Sequence, residues 1–155
     1  MNDLQPLQAL LAQTERERDA ALAAHRQAQR ASDAARAQAE QLVSYRQEYE
    51  QRWQAQFAQG GQITLVQCYQ GFIERLTQAL ESQTRAAQHA ASQAAHAGSA
   101  LRDNELRCAS VRRLIERRVR DIHVDVERRE QRTSDELAAR AAWTRLASAR
   151  HDSAA

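Results

Sequence analysis

The sequence predicts an all-α fold: a long antiparallel two-helix coiled-coil hairpin whose second helix is longer than its first. Three observations carry this prediction. Ala, Arg and Gln supply 74 of the 155 residues, and all three are good helix formers. Strand formers are few, with 6 Val, 4 Ile, 6 Thr and 7 aromatic residues, and four Gly with one Pro cannot punctuate a multi-strand fold. Apolar residues also recur at every seventh position, the seam of paired helices. A hydrophobic fraction of 43%, much of it Ala, and a mean hydropathy of -0.75 suit such a narrow seam better than a thick globular core.

The first helix is expected over about 4–58. Pro6 lies where a helix start tolerates it, and no Pro or Gly follows before Gly60. Its seam reads Leu4, Leu7 and Leu11, then Ala21, Ala28, Ala35, Leu42 and Tyr49, with Trp53 and Phe57 near its end. Gly60-Gly61 is the one strong break and sets a turn at about 59–62. The second helix is expected over about 63–149. Every seventh residue from Val66 is apolar: Ile73, Leu80, Ala87, Ala94, Leu101, Cys108, Ile115 and Ile122. The companion set, Tyr69, Leu76, Gln83, Ala90, Ala97, Asn104, Val111 and Arg118, is apolar at both ends and weaker between. At ~1.5 Å per residue the helices measure roughly 80 and 130 Å. Helices this long and this polar persist by pairing, so the whole chain, 1–155, is expected to form one elongated unit.

Folding back at the glycines makes facing residues sum to about 121. The Ala-rich stretch 20–39 then faces the Ala-rich stretch 82–101, and Tyr45, Tyr49, Trp53 and Phe57 face the bulky start of the second helix. Bulky meets bulky and small meets small. The first helix is exhausted opposite residue 117, which leaves 118–150 with no partner helix and with Val119, Ile122, Val126, Leu137, Trp143 and Leu146 to cover. Residues 111–155 carry 11 Arg and 8 acidic residues, whereas 1–60 and 61–110 are near neutral.

Composition excludes several functions. There is no phosphate-cradling glycine loop, no nucleophile elbow and no paired carboxylates in a cleft, so catalysis is not expected and neither is a cofactor. No Cys or His spacing matches a metal site; His25, His89 and His96 are read as solvated. Cys68 and Cys108 lie about 60 Å apart if helical, too far to pair within one helix. The Arg run at Arg112, Arg113, Arg117, Arg118, Arg120, Arg128, Arg129 and Arg132 alternates with acids, which favours a solvated or protein-docking face over nucleic acid. No apolar run approaches the ~18 residues of a membrane span, and the start lacks a secretory pattern, which makes the cytoplasm the default compartment.

The stretch Leu42-Val43-Ser44-Tyr45-Arg46-Gln47-Glu48-Tyr49, then Gly60, then Tyr69-Gln70-Gly71-Phe72-Ile73-Glu74-Arg75-Leu76 resembles the FliJ family of flagellar export proteins (the FliJ/YscO central-stalk proteins of type III export). The family pattern runs roughly L-x-x-Y-x-x-E-Y, a glycine turn, then Y-x-x-F-I-x-x-L. The resemblance covers nearly the whole chain; the absence of Lys and the second glycine, Gly61, depart from it. It implies a non-enzymatic, monomeric stalk that links the hexameric export ATPase FliI to the cytoplasmic region of the export gate protein FlhA and escorts export chaperones. It further implies a cytoplasmic location peripheral to the inner membrane at the flagellar basal body, with no nucleic-acid partner and no membrane insertion. Carried over by position, the gate-binding face comprises Gln38, Leu42, Tyr45, Tyr49, Phe72, Leu76, Ala79 and Gln83. The Arg-rich end, with Arg128, Arg129 and Arg132 as candidates, would dock on the ATPase ring. The related stalk of a virulence injectisome, an RNA-binding hairpin and a structural coiled-coil dimer stay open as alternatives.

Overall fold

The computed structural model describes residues 4–154; residues 1–3 and 155, included in the single unit expected above, lie outside the described residues. Two helices account for nearly all of it: α1, Leu4–Ala58, of 55 residues, and α2, Ile63–Asp152, of 90 residues. Among the described residues there is no strand. Helix α1 closes with tight bonds from the Gln59 amide to the Gln56 carbonyl (3.2 Å) and from the Gly60 amide to the Phe57 carbonyl (3.1 Å). Gly60 then turns the chain with a φ of 97°, a left-handed value that side chains with a Cβ resist. The Phe57 ring lies over Gly61, where a Cβ would come within 2.7 Å of it. A side chain at this second glycine would have to displace the Phe57 ring.

The residues group into two compact units, Gln13–Cys108 and Met1–Ala12 with Ala109–Ala155. In the first, the helices run antiparallel. Gln83 Nε2 donates to Gln38 Oε1 at 3.0 Å and to the Ala35 carbonyl at 3.3 Å. The rings of Tyr49 and Phe72 are 4.2 Å apart, and His25 packs against Gly98, 3.2 Å from where a Cβ would sit. The facing pairs 38 with 83 and 49 with 72 meet the expected sum.

Burial follows the heptads. On α2 every member of the two seam sets from Val66 to Cys108 is buried or half-buried. The fully enclosed positions of this unit are few: Leu76 (8% exposed), Ala94, Gly98, Cys108 and, opposite, Thr14. On α1 the inner face contains more than the apolar seam. Arg18, His25, Ser32, Ala39 and Arg46 are half-buried alongside Ala21, Ala28, Ala35, Leu42 and Tyr49. His25 is therefore turned into the hairpin rather than solvated. Arg18 stays near the surface through Asp19, 2.9 Å away, and Arg46 through Glu50, 3.1 Å away. Their stems lie along the seam while their heads reach water. Among the described residues no buried side-chain polar atom lacks a partner.

In the second unit, Leu4, Leu7 and Leu11 are half-buried, Val111 is buried and Ile115 half-buried. From Glu116 to Ala154 every residue is exposed. Val119, Ile122, Val124 and Val126 are 40–48% exposed, and Leu137, Trp143 and Leu146 are 60–72% exposed. Local side-chain pairs decorate this stretch, such as His123 with Glu127 at 3.2 Å and Gln131 with Asp135 at 3.1 Å; each contributes a few tenths of a kcal/mol at most.

Candidate functional site

The candidate gate-binding face lies entirely in the Gln13–Cys108 unit, and α1 and α2 bring its residues together unevenly. Gln38, Leu42, Tyr45 and Gln83, joined by Gln41, line one shallow depression of about 410 Å³. Two of its lining residues, Gln83 and Gln38, are hydrogen-bonded across the two helices. Tyr45 is 47% exposed and projects beside it. Phe72 connects to this edge through its ring, which meets Tyr45 edge-on at 6.4 Å and Tyr49 at 4.2 Å. Ala79 is exposed, and Leu76 is turned inward and buried. Leu76 therefore holds the helices together, while Tyr45 and the glutamines offer surface.

Behind Tyr45 runs an aromatic ladder. Tyr49 stacks on Tyr69 with centroids 6.1 Å apart and an 18° interplanar angle, and Trp53 and Phe57 lie 5.3 and 5.5 Å from Tyr69. Such contacts add to the area the rings bury. They fix the rotation of both helices just where the depression forms. Burial, with a smaller contribution from the Glu50 charge, pushes the Tyr69 phenol above its ordinary value.

Sequence reasoning omitted residues next to this face. Ala37, Glu40, Gln41, Ser44 and Glu48 line a second depression beside Tyr45. Their spacing of three and four from one another and from Tyr45 is the signal that would have found them, since those offsets share a helix face. A third groove, of about 530 Å³, is lined mainly by small side chains, among them Ser32, Ala39, Val43, Ala87 and Ala91.

Arg128, Arg129 and Arg132 lie in the other unit, exposed on α2 among acidic neighbours. Exposed Val124, Val126 and Leu137 accompany them, so that segment offers charge and apolar surface together. Among the described residues no cluster of three or more His, Cys, Asp or Glu side chains could hold a metal. Cys68 is exposed and Cys108 buried, and both are free. No helix of the described residues is long and apolar enough to cross a membrane.

Compared with known proteins, residues 3–147 match a family model described as Flagellar FliJ protein. No curated protein and no solved structure matches the chain.

Proposed function

The chain belongs to the flagellar FliJ protein family, a family of type III export stalk proteins, and from that premise we propose that it is a non-enzymatic stalk joining the export ATPase FliI to the cytoplasmic region of the export gate protein FlhA. The observation that carries this reading is the coincidence of the family match over 3–147 with two long helices paired through a single seam. A two-helix seam has no deep, water-excluded pocket for chemistry. Two exposed surfaces would serve recognition instead. The gate would bind the depression around Gln38, Leu42, Tyr45 and Gln83, with Phe72 and Tyr49 supporting it from behind, Leu76 setting the helix spacing and Ala79 leaving the rim low. The ATPase ring would bind the exposed segment of α2 that holds Arg128, Arg129 and Arg132, covering Val126 and Leu137 as it does so. The protein would act as a monomer, escort emptied export chaperones, and reach the inner membrane through these partners alone.

The test is a pull-down of the purified chain with the hexameric ATPase, reading binding and ATPase rate, beside calorimetric titration against the gate's cytoplasmic region. Binding with stimulated hydrolysis is the expected result. Failure to bind an ATPase shown to be hexameric would overturn the stalk assignment.

A further inference from the structure

The end of the hairpin is unlike the rest of the chain. From Trp53 to Ile73 there is no Asp, Glu, Lys, Arg or His, a run of 21 residues in a protein that is 27% charged. The helix ends that meet there follow suit: α1 has no basic residue in its last turn and α2 no acidic residue in its first. The negative end of one helix dipole and the positive end of the other lie side by side across the Gly60 turn and offset one another without charged side chains. The tip is nevertheless well exposed. Ile63 is 78% and Leu65 39% exposed, and Gln54, Gln56, Gln59, Gln62, Gln67 and Gln70 all face solvent.

A solvated tip gains nothing from lacking charge, and outside the tip and the Ala-rich stretch 86–101, which keeps only His89 and His96, this chain solvates most of its helix surface with Arg and acids. A tip that loses its water does gain, because an ion taken out of water is strongly disfavoured unless it is paired. We infer that the tip, centred on Gln59, Gln62, Ile63 and Leu65, is a second contact surface that enters an uncharged recess of a partner protein lined by amide and hydroxyl groups. Ile63 and Leu65 would supply the apolar anchors. The glutamines, each with two donor hydrogens and one acceptor oxygen, require a lining that can answer them. A lipid bilayer interior offers no such lining, and a tip without Lys or Arg has no attraction for anionic headgroups. This inference rests on the proposed gate reading, since the tip continues the same helices beyond the Tyr45 face.

The experiment titrates the full-length chain against the gate's cytoplasmic region at about 50 and 500 mM NaCl. The test variant is Gln59→Glu with Gln62→Glu, which adds charge with almost no change of shape at two exposed positions. Ile63→Ser, Tyr45→Ala and the remote control Gln27→Glu complete the set, with circular dichroism on each. The expected result is at least a tenfold loss of affinity for the double variant and for Ile63→Ser, unchanged helicity, no loss for Gln27→Glu, and a wild-type affinity that moves less than threefold with salt. Tip variants that bind like wild type while Tyr45→Ala binds weakly would overturn the tip inference and leave the gate reading standing. A wild-type chain that does not bind the gate region would overturn both. Sedimentation with phosphatidylcholine–phosphatidylglycerol vesicles that Ile63→Ser abolishes, without any effect on gate binding, would make the tip a membrane contact and also overturn the inference.

Discussion

Leu76 and Tyr45 lie near one another in the hairpin with opposite duties. Leu76 is buried between the helices, so Leu76→Ala should cost about 2–4 kcal/mol of stability. Tyr45 is nearly half exposed, so Tyr45→Ala should cost under about 1 kcal/mol while weakening the proposed gate contact. Chemical denaturation beside calorimetry separates the two. The glycines divide in the same way. An added Cβ at Gly71 meets nothing within 4 Å, so Gly71→Ala should raise stability by about 0.5–1 kcal/mol through helix propensity alone. At Gly98 a larger side chain would drive into His25, and Gly98→Leu should lower stability by about 1–3 kcal/mol, read as a lower Tm. Tyr69 brings a pH dependence. Its phenol is raised by burial and then by Glu50, so the folded state holds the proton more tightly than the unfolded chain. That contribution is whole below about pH 10 and is lost as pH rises through the raised value. Tyr69→Phe should flatten the alkaline fall of Tm; an unaltered fall would show that another group causes it.

At the scale of the element, α2 is one helix with two regimes. From Val66 to Ile115 its seam positions are buried or half-buried, whereas Arg118, Val119, Ile122 and Val126 continue the pattern and stay exposed. From Glu116 to Ala154 every residue of α2 and its end is exposed. Residues 119–150 hold their helix by Ala and Arg propensity and by local pairs, which are weak sources of stability in water. Hydrogen exchange should therefore be markedly faster over 119–150 than over 66–111. Equal protection would mean that self-association covers the segment, and light scattering would then return a mass above that of the 17.5 kDa chain.

For the molecule as a whole, the charge distribution predicts two contacts with different physics. The net charge is only +2, and 111–155 holds half of all the arginines. The proposed docking of that region on the ATPase should weaken several-fold between about 50 and 300 mM salt, because exposed charges are screened over a Debye length. The proposed gate binding through Tyr45, the glutamines and the uncharged tip should hardly respond. Two titrations at two salt concentrations test this, and equal salt slopes would contradict the division of labour.

The sequence by itself determined the two-helix fold with its longer second helix and the seam of α2, because seven-residue periodicity and the Gly60-Gly61 break are properties of spacing alone. It also exposed the family resemblance, through the Tyr45–Tyr49 and Tyr69–Leu76 stretches. Only the tertiary structure decided what fills the inner face of α1. Thr14, Arg18, His25, Ser32 and Arg46 are polar and invisible to an apolar pattern, yet they are buried or half-buried. Small partners make this possible: Gly98 admits the His25 ring, while Arg18 and Arg46 lie along the seam and keep their charges in water. The candidate face divided on the same ground. Heptad spacing had already put Leu76 and Tyr49 in the seams; the structure buries Leu76 there and leaves Tyr45, a member of neither seam, nearly half exposed.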